Sequence, residues 1–237
     1  MSEREPGLIL VAGPIGNLGD MTDRVRTALA DADFWIVEDS RVSGKLQSVL
    51  GVKKRMVVLN EHTNPAKLAA IVSDLKESTG ALLTDAGTPG ISDPGAEIVD
   101  QCYSEGISVD SMPGPSAVTQ ALALSGFYAQ RFAFLGFVGR KSGAIREVLE
   151  PFADSTMTLV LFESPHRFRK LLAEISENLG SRRFAICREL TKSHQQVWRG
   201  TLPDVPTEAQ VPDRGEVTIV VEGKRRQKNA EDREYNA

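Results

Sequence analysis

Cysteine is scarce in this chain: two among 237 residues, Cys102 and Cys187, far apart and outside any paired motif. That excludes a disulfide framework and a cysteine-based zinc site, and makes the reducing cytoplasm the expected location. Histidine is almost as rare, at His62, His166 and His194. No His/Cys/Asp cluster has metal-ligand spacing, so no metal is expected. No apolar run approaches the roughly 20 residues that a membrane-spanning helix needs. The opening Met-Ser-Glu-Arg-Glu-Pro is polar and carries two acids, unlike a signal or transit peptide. Internal repeats and low-complexity stretches are missing too.

What is present is an ordinary globular composition. Hydrophobic residues at 41% and charged residues at 25% supply core enough for one large domain or two modest ones. The net charge of −4 argues against indiscriminate coating of nucleic acid, but the charge is segregated. Residues 1–130 carry 10 Lys/Arg against 17 Asp/Glu, a balance of −7; residues 131–237 carry 18 against 15, a balance of +3. The second part holds three basic clusters: Arg167-Phe168-Arg169-Lys170, Arg182-Arg183, and Lys224-Arg225-Arg226 with Lys228. Such clusters are commonly solvated faces. An acidic half beside a basic half also allows one to hold a small molecule and the other a polyanion.

The first half alternates short apolar runs with helical patterns. Strands are expected at Leu8–Ala12, Phe34–Val37, Met56–Leu59, Ala81–Thr84 and Ile107–Val109, with helices between them and a last helix from Ser116 to Ser125. That order indicates a mainly parallel sheet covered on both faces, an α/β architecture. After Gly126 the pattern changes. Strands at Phe132–Phe137, Thr158–Phe162, Phe184–Arg188, Gln195–Gly200 and Glu216–Val221, with only two helices among them, imply a mixed α+β sheet. The expected domains are therefore 1–126 and 127–223. The polar stretch 224–237 lacks apolar periodicity and reads as a disordered tail.

Four Gly/Pro-rich loops follow expected strands: Gly13-Pro14-Ile15-Gly16-Asn17-Leu18-Gly19, Thr84–Gly95, Pro113-Gly114-Pro115-Ser116 and Glu163-Ser164-Pro165-His166. In an open α/β sheet, ligands bind at the carboxyl ends of the strands. Glycine lets a backbone approach a ligand closely, and proline pre-sets the turn. Any one such loop reads equally as a tight connection; four together point to a ligand cleft. The glycines at 13, 16 and 19 are spaced G-x-x-G-x-x-G, which is neither the dinucleotide fingerprint nor a P-loop, although Glu38 stands near where a ribose-binding acid would be. A phosphate-free ligand read by backbone groups fits better, with Asp85 or Asp93 for an amine or ribose hydroxyl. S-adenosylmethionine satisfies that description.

The segments "GPIGNLGD", "VEDSR", "TDAGTPGISDPG", "PGPSAV", "GFVGRKSG", "FESPHR" and "RELTKSH" resemble, in order from about residue 8 to residue 223, the signatures of the ribosomal RNA small subunit methyltransferase I family, within the tetrapyrrole methylase superfamily. The resemblance implies a two-domain α/β homodimer that binds S-adenosylmethionine between its domains. It also implies 2′-O-methylation of a cytidine in the decoding region of 16S ribosomal RNA. The cofactor contacts would be Pro14, Gly16, Asn17, Asp85, Ala86, Gly87, Thr88, Ser92, Pro115, Ser116, Glu163 and Ser164. Gly13 replaces the family's usual threonine, so no hydroxyl contact is expected there. Ser40 stands for a common threonine, and Gln195 for a common acid. Many members carry a C-terminal helical extension that is not expected here. Other readings are a tetrapyrrole (precorrin-type) methyltransferase and a nucleotide-binding module without RNA activity.

Methyl transfer to a ribose hydroxyl needs alignment above all, and a base to take the hydroxyl proton helps. The candidate catalytic residues are Glu163, His166 and Arg167 after one strand and Glu189 and Lys192 after another. The alternatives are that Glu163 caps a turn with Arg167 solvated, and that Glu189 and Lys192 form a surface ion pair. The candidate RNA contacts are Arg140, Lys141, Arg169, Lys170 and Arg188, on 16S ribosomal RNA or the small ribosomal subunit. Light scattering at micromolar concentration is expected to return twice the 25.8 kDa of one chain; a mass near one chain would refute the homodimer.

Overall fold

The computed structural model describes residues 5–225. The chain divides into two compact units, Met1–Ala117 and Val118–Ala237. The division falls after the first residue of the helix Ala117–Ser125 (α5), whereas the composition change in the sequence comes after the helix.

The first unit contains five strands, β1 (Gly7–Val11), β2 (Phe34–Val37), β3 (Arg55–Val58), β4 (Thr79–Leu83) and β5 (Ser108–Met112). They form one wholly parallel sheet in the order β3-β2-β4-β1-β5. Four helices connect them: α1 (Asp23–Asp31), α2 (Ser40–Leu50), α3 (Pro65–Asp74) and α4 (Ala96–Ser104). Three of them start where a side chain offers an acceptor to an orphan amide. Thr22 accepts from the Val25 amide at 3.2 Å, and Asn64, followed by Pro65 at the first helical position, accepts from Lys67 at 2.8 Å. Asp39 accepts from the Arg41 amide at 2.8 Å at the start of α2.

The helices lie on opposite faces. Val25, Ala28 and Leu29 of α1 pack with Ile9, Val11, Trp35, Ala81 and Leu83, while Ile71 of α3 and Ile98 and Cys102 of α4 pack with Leu8, Phe34, Ile36 and Leu82. Both faces of each central strand are thus apolar, as a doubly covered parallel sheet requires. Trp35 is fully buried and its indole N–H donates to the Leu29 carbonyl at 2.9 Å. β4 begins before its apolar run, and glycine is needed at position 80 within it, because a Cβ there would stand 2.6 Å from Leu75 and 2.9 Å from Phe34.

The second unit holds α5 and the strands β6 (Phe132–Phe137), β7 (Thr158–Glu163), β8 (Arg183–Arg188), β9 (Gln196–Thr201) and β10 (Val217–Val221), in the order β6-β7-β10-β8-β9. β6 and β7 are parallel and every other pair is antiparallel, so the sheet is mixed. Helices α6 (Ser142–Leu149) and α7 (Phe168–Leu179) cover one face with Ile145, Leu149, Leu172 and Ile175 against Leu159, Leu161, Ile186 and Ile219. On the other face Cys187 donates to the Ala121 carbonyl of α5 at 3.8 Å. No described helix is long and apolar enough to cross a membrane.

Lys224 and Arg225, which composition assigns to a tail, are anchored. The Lys224 amide donates to Ser155 at 2.7 Å and its side chain pairs with Asp154; Arg225 pairs with the buried Glu222 at 3.1 Å. Arg226 and Lys228, with the rest of the expected tail, lie outside the described residues.

Replacing Trp35 by alanine removes the largest buried side chain of the first sheet. It is expected to lower the unfolding free energy by about 3–5 kcal/mol, read from urea denaturation by circular dichroism. A loss under about 1 kcal/mol would contradict the packing.

Candidate functional site

In the first unit, the path from β1 to β2 runs by α1 past β4, and the path from β4 to β5 runs by α4 past β1. The two crossovers leave in opposite directions, so the strand order reverses between β1 and β4. That crevice, at the carboxyl ends, is where open α/β sheets receive ligands. The loops after these strands meet there: the Gly13 amide donates to the Gly87 carbonyl at 2.8 Å, closing an isolated antiparallel bridge.

The bends of Thr84-Asp85-Ala86-Gly87-Thr88-Pro89-Gly90-Ile91-Ser92-Asp93-Pro94-Gly95 have a backbone cause. Gly87, Gly90 and Gly95 sit at φ of +79°, +81° and +146°, in a region side chains rarely enter. The Gly90 amide donates to the Pro94 carbonyl at 3.1 Å. Ser92 takes φ +59° without being glycine, a strain that recurs at functional sites. A Cβ on Gly114 would stand 2.9 Å from the Ala12 carbonyl, so the loop with Pro115 and Ser116 presses against the end of β1. Asn17 accepts from the Gly19 amide at 2.9 Å and caps a short turn. Pro14, Gly16, Asn17, Asp85, Ala86, Gly87, Thr88, Ser92, Pro115 and Ser116 therefore belong to three loops along one sheet edge.

Beside the crevice lies an open cavity of about 810 Å³, between the ends of β2, β3 and β4 and the start of α4. Asp85 and Ser92 line it; so do Glu38, Asp39, Glu61, His62, Asp93 and Glu97. Among the described residues no three His, Cys, Asp or Glu side chains converge as a metal ion would need. The carboxylates are not equivalent. Asp39, hydrogen-bonded by the Arg41 side chain, is held down at about 2. Burial pushes Asp93 up to about 6, against the hydrogen bond it accepts from the Thr84 hydroxyl at 3.1 Å, and the Glu38 and Asp85 charges push the same way. Asp85 is raised by burial and by the Glu38 and Asp39 charges; its amide donates to Glu38 at 3.3 Å.

The second unit gathers the candidate catalytic groups at one edge of its sheet. Glu163 and Arg188 both register against Val217, so the ends of β7 and β8 flank the start of β10. Glu163 is 4% exposed, accepts from the Ser164 amide at 2.7 Å and pairs with Arg167 at 3.2 Å. Arg167 also donates to the Gly139 carbonyl at 3.3 Å, while the His166 ring is exposed and its amide reaches the Ser164 hydroxyl at 3.4 Å.

Lys192 is shared by Glu189 at 2.9 Å and Glu216 at 3.0 Å. Burial pulls its pKa down, but the hydrogen bonds it donates to both carboxylates outweigh that and leave it raised. Glu189 is lowered by the Glu216 amide and then by Lys192. Lys192 is therefore a fixed cation and Glu189 a weak base. Glu189 and Thr191 occupy φ of +53° and +65°, and a Cβ on Gly215 would fall 2.6 Å from Glu189.

The basic candidates separate. Arg140, Lys141 and Lys170 are exposed, and their side chains make no hydrogen bond or ion pair among the described residues. Arg169 pairs with Asp213, donates to the carbonyls of Pro206 at 2.8 Å and Val211, and lies over the Phe168 ring. Arg188 is 7% exposed and donates to the carbonyls of Arg214 and His194, each at 3.2 Å. Both side chains are thus engaged by partners within the second unit. The sequence singled out neither Thr84, the Asp93 partner, nor Gly215, which makes room for Glu189; a glycine two residues before β10 was the available signal.

The raised Asp93 has a consequence in pH. Its folded pKa lies above the unfolded one, so the native state holds the extra proton between about pH 4 and 6, and stability from this group is lost as pH rises through about 6. Asp93→Asn is expected to raise the urea midpoint at pH 8, the advantage vanishing below about pH 4. An advantage equal at both pH values would contradict the assignment.

The profile for tetrapyrrole (corrin/porphyrin) methylases matches residues 7–206. A Thermotoga maritima protein named ribosomal RNA small subunit methyltransferase I is 40% identical over 220 residues, 92% of this chain and 98% of that one. The Mycobacterium tuberculosis protein of the same name is 42% identical over 220 residues, 91% of this chain and 77% of the relative. Among solved structures, the methyltransferase CobJ superposes with a TM-score of 0.66 at 16% identity, covering 94% of this chain and 97% of that chain. Diphthine synthase gives 0.70 at 16% identity, covering 91% and 89%; at that identity the likeness concerns the fold. The chain belongs to the tetrapyrrole methylase family, in the branch of the ribosomal RNA small subunit methyltransferase I proteins.

Proposed function

We propose that the chain methylates small-subunit ribosomal RNA, using S-adenosylmethionine, at the ribose 2′-hydroxyl of a cytidine in the decoding region. The single observation that carries this reading is the 40% identity to the Thermotoga relative across nearly the full length of both chains. A tetrapyrrole substrate is the second reading, favoured by the CobJ likeness, which extends to the fold only.

The residues present suit such a cofactor. S-adenosylmethionine supplies an activated methyl group on a sulfonium centre when bound. Loops bent through left-handed glycines bring backbone amides and carbonyls to the β1/β4 crevice, as a ligand without phosphates needs. Pro14, Gly16, Asn17, Asp85–Thr88, Ser92, Pro115 and Ser116 are the proposed holders. Asp85, a carboxylate in an acid-lined setting, suits an amine or a ribose hydroxyl. Glu163 and Ser164 are proposed contacts carried by the second unit.

At that unit's sheet edge Glu163 is a buried carboxylate fixed by Arg167, and His166 is an exposed imidazole beside it. Glu163 and His166 are the proposed proton acceptors for the ribose hydroxyl. Lys192, doubly bonded by carboxylates, stays protonated and is proposed to stabilise developing alkoxide charge. Arg140, Lys141 and Lys170 are the proposed phosphate contacts, and Arg169 and Arg188 are left to structure. The reaction would take place in the cytoplasm, on a homodimer.

The decisive experiment compares methyl transfer to small ribosomal subunits, free 16S ribosomal RNA and a precorrin-type tetrapyrrole. Methylated ribose from the subunits and none on the tetrapyrrole is expected; the reverse would establish the second reading. Gly87→Val forces a β-branched residue to φ +79°. It is expected to lower S-adenosylmethionine affinity at least tenfold by calorimetry while the thermal melt stays cooperative. Unchanged affinity would remove this loop from the site.

A further inference from the structure

We infer that the exposed ring of Phe137 is a stacking platform for an unpaired base of the RNA substrate, with Arg140 and Lys141 on the adjoining phosphates; this rests on the RNA reading above. Along β6, Ala133 and Leu135 pack on the side of α6 and α7, and Val138 beyond it joins that core. Strict alternation would put Phe137 on that side as well. It does not go there. Phe134 registers with Val160, Gly136 with Leu161 and Phe137 with Phe162, so Leu135 is passed over, and Gly136 takes φ +60°. A bulge of this kind is uncommon in a parallel pair, and bulges beside functional sites serve to re-aim a side chain.

The bulge sends Phe137 to the opposite face. Its ring lies 5.6 Å from Phe162 at 58°, and Phe162 lies 4.9 Å from Phe134 at 68°. Phe162, itself backed by Phe134, supports the ring from one side, yet Phe137 remains 66% exposed. An apolar ring diverted from the core into solvent, and held there, is arranged to receive a flat partner.

The charges beside it name the partner. Arg140 and Lys141 follow within the same loop, exposed and without ion pairs among the described residues. The loop is tied to the start of α7 by the bond from Arg167 to Gly139, and the carboxylate on the neighbouring strand, Glu163, is already answered by Arg167. Aromatic faces flanked by free cations are how single-stranded RNA is gripped, the rings taking bases and the cations the backbone. A second copy of this chain would have to bury the ring beside two unpaired cations, which interface cores avoid.

The test titrates a short unstructured oligouridylate into the full chain and its variants. Phe137→Ala is expected to weaken binding about tenfold, with an unchanged dependence on salt, because stacking releases no counterions. Phe137→Leu should be as poor as alanine, having bulk but no π face. Phe137→Trp should bind at least as well as the parent, and its added fluorescence should be quenched by the oligonucleotide. Arg140→Ala should instead flatten the log–log salt slope by about 0.7. Thermal melts of every variant should match the parent, since the ring is exposed. Full affinity in Phe137→Ala or Phe137→Leu, or no quenching in Phe137→Trp, overturns the inference; so does a fall in light-scattering mass in Phe137→Ala with RNA affinity intact. Failure of the parent itself to methylate small subunits refutes the RNA reading instead, and is read in a separate assay.

Discussion

The hydrogen bond from the Gly13 amide to the Gly87 carbonyl joins the two loops that leave the reversal point of the first sheet. A backbone bond at that place requires both chains to bend inward just as their strands end, and the bend after β4 uses left-handed backbone at Gly87. Everything on the carboxyl edge is positioned from there. The Thr84–Gly95 segment turns outward to carry Asp85 and Asp93 toward the ends of β2 and β3, and Gly95 returns the chain against Gly90 to start α4. A conformational constraint in a few glycines thus determines where the carboxylates of the cavity stand.

The two units treat charge differently. On the first, carboxylates crowd one another, and burial together with like charges holds protons on Asp93 and Asp85 at higher pH than usual. On the second, carboxylates are answered one by one: Glu163 by Arg167, Glu222 by Arg183 and Arg225, Glu189 and Glu216 by Lys192. The second unit's remaining positive charge then stands in exposed groups such as Arg140, Lys141 and Lys170. Acid crowding favours a cationic or hydroxyl-bearing small ligand, and surplus cations favour a polyanion.

Much of the fold was legible because its signals are local. Phe34–Val37 and Phe132–Phe137 appear with the bounds their apolar runs announce. The order of the strands was not legible, since β1 lies between β4 and β5 through pairings that no nearby residue encodes. The loops of the candidate site were legible from glycine and proline, which act on their own backbone. The fate of the charges was not. Arg169 and Lys170 are neighbours in one basic run, yet the first is claimed by Asp213 from far along the chain and the second by nothing described. Phe137 was hidden for a related reason: its orientation follows from a skipped residue in the pairing with β7. The spacing of Phe132, Phe134 and Phe137, which breaks a period of two, was the visible trace.

Gly215 has a further consequence. The space where its side chain would be is filled by Glu189, whose carboxylate in turn holds Lys192 and the Glu216 amide. Positions 189, 192, 215 and 216 therefore cannot drift independently over generations of substitution. A side chain gained at 215 would be tolerated only in a lineage that had already shortened 189, and shortening 189 would leave the lysine with Glu216 alone. Effects at these four positions are coupled in the way residues sharing one network are, so this corner of the sheet changes as a set or stays as it is.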